Sequence, residues 1–343
     1  MRTQIPYLVF LDFFVTMIGS FAIYSTNFIA VSNVIPILGS LYGISIVIRG
    51  FLPILLPKKW LFNNLPIFHI AFLASIVLSS ILLNNIVIYL VGISISALLG
   101  MFTGSYVYNI EITFSKYLKD ASRFFSLITG IESVAFLIAP VLTYLTTSRY
   151  VFLSILLVLI TLALIFLAYF RFSSKIRVQT KFFSGNLGQV KKIYPIIFLA
   201  SFTWFLQYLW MGMAFPLGAK QGFPELVVLL AVEGETLLYM VLQFGISIRG
   251  FTSVAKIRVG YYLIGVYTLL VATFLSLGFF KSSEILFVAI LFSFAIVSFL
   301  LEPLVDTILS STENASENST IVVAFRSICG GIGYAMGSFL LII

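Results

Sequence analysis

The feature that most constrains this chain is a succession of long, uninterrupted apolar runs. A bilayer's hydrocarbon core is about 30 Å thick, so a helix needs about 20 apolar residues to cross it. Runs of that order occur at roughly 7–28, 33–50, 64–83, 86–110, 122–147, 150–171, 194–216, 226–248, 259–279, 284–308 and 321–343. These predict eleven membrane helices. Barrel strands are not predicted, because the runs lack the roughly ten-residue alternating segments of a membrane barrel. Composition excludes a water-soluble fold: 9% of the 343 residues are charged, against about 25% in an ordinary soluble domain. The N-terminus carries one Arg, then an apolar run interrupted by Asp12 with no small-residue cleavage site. It reads as the first span, not as a signal peptide. The one cysteine, Cys329, leaves no disulfide within the chain.

Basic residues set the orientation. With the N-terminus in the cytoplasm, 17 of the 20 Lys and Arg fall on the inner side and only Arg149, Lys220 and Lys281 on the outer side. The positive-inside rule therefore favours a cytoplasmic N-terminus. It also accounts for the net charge of +8 without a nucleic-acid partner. The longest break between spans, Arg171 to Lys192, holds six basic residues and no acidic one. It divides the chain into a six-helix half (1–171), a basic linker (172–192) and a five-helix half (193–343).

The two halves share local sequence. Gly43-Ile-Ser-Ile-Val-Ile-Arg-Gly-Phe51 ends the second span, and Gly245-Ile-Ser-Ile-Arg-Gly-Phe251 ends the eighth. Arg123 opens the fifth span with Gly130 seven residues later, and Arg326 with Gly333 repeats that spacing in the eleventh. Two matches in register predict a duplicated architecture. Parallel repeats of six helices are a known plan for transporters.

On these residues the chain resembles the major facilitator superfamily. The resemblance rests on two helical halves, a basic central loop, the basic turns at Arg49-Gly50 and Arg249-Gly250, and the fifth-span pattern Arg123, Gly130, Ala139-Pro140. It covers essentially the whole chain and implies an all-α integral membrane protein built from two parallel repeats of a six-helix bundle. The sequence departs from the family in two ways: the usual Asp of the loop after the second span is absent, and eleven spans are visible instead of twelve.

Charges inside the spans are the candidate functional groups, because one at the bilayer centre costs roughly 2.5–3.5 kcal/mol even on lenient scales. Glu132 lies near the middle of the fifth span, with Thr129 and Thr143 on its face and Phe136 between them. Burial disfavours the charged form of a carboxyl, so this Glu suits proton coupling. The competing reading is a hydrogen-bonded Glu that fastens two helices. Asp12 forms a second stripe with Thr16 and Ser20, with Asn27 near the same face, and the resemblance implies that this first helix lines a central cavity. Here the competing reading is a near-interface Asp capped by water or a basic loop. Glu233 and Glu235 are about 200° apart on a helix, so at most one faces inward. Trp204 and Gln207 on the seventh span, and Tyr106, Tyr108 and Asn109 on the fourth, are cavity candidates, although membrane aromatics more often pack than bind. The resemblance also implies a cytoplasmic gate of ion pairs, Arg49 with Glu111 and Arg249 with Glu302 or Asp306.

No phosphate-binding loop, metal-ligand spacing or catalytic constellation is present, which argues against a nucleotide-driven pump and against an enzyme. The expectation is a multi-pass plasma-membrane protein without cofactor or metal, acting as a monomer. Its partners are the lipid bilayer, a small-molecule substrate, and protons or another coupling ion. It moves a small neutral or amphipathic solute by alternating access. Proton coupling is expected through Glu132 or Asp12, with efflux suggested by Ala139-Pro140, which resembles the motif of drug–proton antiporters. The alternative is a non-transporting sensor or scaffold of the same fold.

Overall fold

The computed structural model describes residues 118–145, 187–251 and 256–339, with scattered positions between 9 and 17, 43 and 51, 108 and 116, and 155 and 158. Six helices have defined limits: α1 (Ala121–Leu145), α2 (Leu187–Gln221), α3 (Glu225–Arg249), α4 (Ile257–Ser276), α5 (Glu284–Ser310) and α6 (Ala315–Phe339). They correspond to the fifth span and to the seventh through eleventh. Each is long and apolar enough to cross a membrane, and no described residue lies in a strand. The chain is a multi-pass membrane protein. Side chains such as Ile248, Leu269 and Ile285 are more than two-thirds exposed, as suits positions facing hydrocarbon.

Two helix starts differ from the sequence expectation. α2 begins at Leu187, inside the stretch predicted as linker. Lys191 and Lys192 are exposed while Ile193, Ile196 and Ile197 are buried, so a packed apolar stripe carries the helix into the basic region. α6 begins at Ala315 instead of near residue 321. Its first turns are polar, but Asn318, Ser319 and Thr320 are buried in protein. Asn318 is also anchored there: its backbone N–H donates to the Asn314 carbonyl at 2.8 Å and its Nδ2 to Thr312 Oγ1 at 2.9 Å.

Aromatic packing organises α2, α4 and α5. Trp210 stacks on Phe294 with ring centroids 5.0 Å apart, and Tyr267 meets the same ring edge-on at 5.6 Å. Trp210 Nε1 donates to the Tyr267 hydroxyl at 2.8 Å, satisfying a buried polar pair. α2 and α6 approach so closely that a Cβ on Gly212 would lie 2.7 Å from the Tyr334 carbonyl oxygen.

The repeated Arg-Gly-Phe stretches occupy two matching seams. At one, the end of α3 abuts the start of α1. Arg123 Nη2 donates to the Arg249 carbonyl at 3.0 Å, and the Phe251 backbone N–H donates to Ser122 Oγ at 2.8 Å. Gly250 turns the chain there with φ +72°, against Asp120 and Arg123, a conformation that L side chains disfavour. Asp120 caps α1 by accepting from Ser122 N at 3.0 Å and Ser122 Oγ at 2.6 Å. At the other seam the second span abuts α6. A Cβ on Gly50 would lie 2.6 Å from Ile328 Cγ1, and one on Gly43 would lie 2.6 Å from the Gly331 oxygen. Both seams include the end of the protein that the basic residues assign to the cytoplasm.

Candidate functional site: a buried polar cluster between the seams

A polar cluster lies among α1, α2, α3, α5, α6 and the described end of the fourth span. Its centre is an ion pair within one predicted half: Arg326 Nη2 of α6 donates to Asp306 Oδ1 of α5 at 2.6 Å, with both side chains at least nine-tenths buried. The Tyr108 hydroxyl, from the other predicted half, donates to the same Asp306 oxygen. Arg326 Nη1 donates to the Tyr108 oxygen at 3.3 Å. The guanidinium carbon is 5.4 Å from the Tyr108 ring centroid and 5.7 Å from that of Trp204, so the cation is held between two aromatic faces.

Glu302 lies one turn before Asp306 on α5. It accepts from the Tyr239 hydroxyl of α3 at 2.6 Å, and the Gln207 side-chain amide of α2 is beside it. Gln243, one turn after Tyr239, donates through Nε2 to the Phe299 carbonyl at 2.8 Å. Glu111 is 5% exposed and within electrostatic reach of Glu132 and Asp306. Glu235 is within the same kind of reach of Glu302. Of the pair on α3, Glu235 is the buried member and Glu233 is half-buried.

The placement of the sequence candidates is mixed. Glu132, Glu111, Trp204, Gln207, Glu302 and Asp306 belong to the cluster. Thr129 is buried beside it, with its hydroxyl donating to the Phe125 carbonyl of its own helix at 2.9 Å. Thr16 is half-buried. Asp12, Ser20, Asn27, Arg49, Tyr106 and Asn109 lie outside the described residues.

One expected gate pair is not formed in this structure. Arg249 forms no ion pair with Glu302 or Asp306: its side chain is exposed at the helix end, and the Asp306 carboxylate is taken by Arg326. α5 runs on to Ser310, which puts both acids inside the helix. Arg326 itself was legible only as part of a repeat. The polar start of α6 made it look close to the membrane edge, whereas it stands eleven residues into the helix. Tyr239 and Gln243 gave no signal beyond being polar groups in an apolar run.

No protein-family model matches the sequence, and no curated protein is similar to it. Solved structures are. The chain superposes on the human organic anion transporter MFSD10 (TETRAN) with a TM-score of 0.63 at 15% identity, covering 98% of this chain and 92% of that one. It matches the E. coli fucose:proton symporter FucP with a TM-score of 0.63 at 14% identity, covering 96% and 89%. The nucleoside transporter NupG aligns with a TM-score of 0.57 at 15% identity over 99% and 90%.

The chain has the major facilitator fold. At these identities the likeness is one of architecture. Within that fold the polar cluster occupies the space between the two seams, where six helices meet.

Proposed function

We propose that the protein is a secondary active transporter of the plasma membrane. It moves a small neutral or amphipathic organic solute by alternating access of two helical halves, in the direction of export. Proton coupling runs through Glu132 or Asp12. The observation that supports this reading best is the cluster itself: ionisable and hydrogen-bonding groups from several helices are gathered inside an otherwise apolar membrane protein. Such groups are expensive in a bilayer and mark substrate or ion pathways. The two seams support it further, since the close glycine contacts at Gly43, Gly50 and Gly331 are an arrangement suited to parting and reclosing.

The test uses the purified full chain in proteoliposomes carrying a pH-sensitive dye. A panel of sugars, amino acids, organic acids and organic cations is applied with and without a pH gradient. A member of the panel should move protons, and Glu132→Gln should lose proton movement while retaining counterflow of that solute. Cooperative unfolding with no solute movement from any class would leave a sensor or scaffold as the function.

A further inference from the structure

The starts of α2 and α4 form a surface patch that neither the seams nor the polar cluster uses. Both helices begin at the end that the basic residues assign to the cytoplasm. They pack closely near that end: a Cβ on Gly260 would lie 3.0 Å from Leu199 Cδ1. Before this contact stand Lys191 and Lys192 on α2, and Lys256 and Arg258 at the start of α4, all four exposed. Neither helix contains an acidic residue, and no described carboxylate is ion-paired to any of the four. Like charges gathered beside one helix contact repel, so the patch calls for an anion from outside the chain.

The surface beneath the cations indicates which anion. At about 100° per residue, Lys191, Phe198 and Phe202 share one face of α2. Phe198 and Phe202 stack with centroids 5.5 Å apart and planes at 10°, and Phe202 continues onto Phe205 at 6.0 Å and 17°. Tyr261 of α4 flanks this ladder, 6.0 Å from Phe198, with Arg258 one turn before it. Phe198 and Tyr261 are both exposed. A flat aromatic strip thus runs from the cations toward the bilayer interior. Tyr194, exposed between Lys191 and Phe198, adds an amphipathic ring of the kind found at headgroup level. A soluble anion would need the cations alone, whereas an apolar strip leading away from them fits an acyl chain.

We propose that this face holds one anionic phospholipid of the cytoplasmic leaflet. Its phosphate lies against Lys191 and Arg258, with Lys192 and Lys256 beside them, and one acyl chain follows Phe198 and Phe202. The cytoplasmic leaflet carries anionic lipid, so charge and position agree. The bound lipid ties α2 to α4 within one predicted half. Cations that served only to orient the chain would be interchangeable with other basic residues at the same membrane face, and the test uses that difference.

The full chain is titrated in mild detergent and its retained lipid counted by native mass spectrometry. Dioleoyl phosphatidylglycerol and dioleoyl phosphatidylcholine share acyl chains and differ in net charge, and inorganic phosphate supplies the free anion. One phosphatidylglycerol should be retained, and neither of the other two should displace it. Lys191→Gln/Arg258→Gln should weaken retention about 30-fold, about fivefold for each cation removed. Lys116→Gln/Lys119→Gln removes two other exposed cations and should match the parent. Arg258→Gln alone, about fivefold weaker, serves if the double variant does not fold. Phe198→Ala keeps every charge and should also weaken retention. Equal retention of phosphatidylcholine, displacement by inorganic phosphate, equal loss in the two double variants, or a dimer that forms through this face in place of lipid overturns the proposal.

Discussion

The seam between the second span and α6 makes a quantitative prediction about motion. Gly43→Ala adds a single methyl. That Cβ would stand 2.6 Å from the Gly331 oxygen, 2.7 Å from the Ala335 nitrogen and 2.9 Å from the Ala335 Cβ. Two of the three are backbone atoms, which cannot turn aside. Overpacking of this kind costs about 1–3 kcal/mol. The clash exists only while the seam is closed, so its cost falls on one conformation. A bias of about 1–3 kcal/mol changes a two-state ratio by about 5- to 150-fold. Gly43→Ala should therefore favour the form in which this seam is parted. The control lies in the matching repeat, where a Cβ on Gly245 meets nothing within 4 Å. The assay is the labelling rate of a cysteine introduced at Ser327, in a background where Cys329 is replaced. Gly43→Ala should speed labelling in line with the population change, and Gly245→Ala should leave it unaltered. Equal labelling rates in the two variants would refute the claim that backbone contact holds the seam.

Further outcomes follow from the buried contacts. Asp306→Asn leaves Arg326 charged and without its carboxylate, which costs about 3–5 kcal/mol for a buried pair; thermal unfolding in detergent should show a large fall, with much of it recovered in Asp306→Leu/Arg326→Met. Tyr267→Phe removes the acceptor of Trp210 Nε1 and should destabilise the chain by about 1–3 kcal/mol, with a blue shift of tryptophan emission reporting the lost hydrogen bond. Tyr108→Phe should leave the Asp306–Arg326 pair intact and lower the melting temperature by less than Asp306→Asn does, because only a hydroxyl is lost.

The membrane class and the positions of the six described spans were legible because the bilayer imposes length and apolarity on each crossing. α3 and α5 lie within two residues of their expected limits. The errors came where protein, not lipid, surrounds a helix. Asn318, Ser319 and Thr320 look like loop residues, yet they are buried against neighbouring helices. That hid the start of α6 and with it the depth of Arg326. Glu111, Glu132, Trp204 and Gln207 stood out because a polar or large aromatic residue in a bilayer needs an explanation. Their partners did not, because pairing across helices is set by tertiary packing. The Asp306–Arg326 pair is an example: sequence position placed Arg249 and both acids near one membrane face and gave no sign that Asp306 meets Arg326.

The composition of the central ion pair has a consequence for what water meets when the fold opens. Asp306 and Arg326 sit on consecutive helices of one predicted half, and among the described residues the Tyr108 hydroxyl is the hydrogen-bonding group that reaches them from the other. Separating the halves withdraws a hydroxyl and leaves the pair intact. The pair itself is then bared as a dipole with no net charge of its own, far cheaper to expose or to dry again than a lone ion. On the alternating access proposed above, reversible wetting would then follow from which half owns each partner.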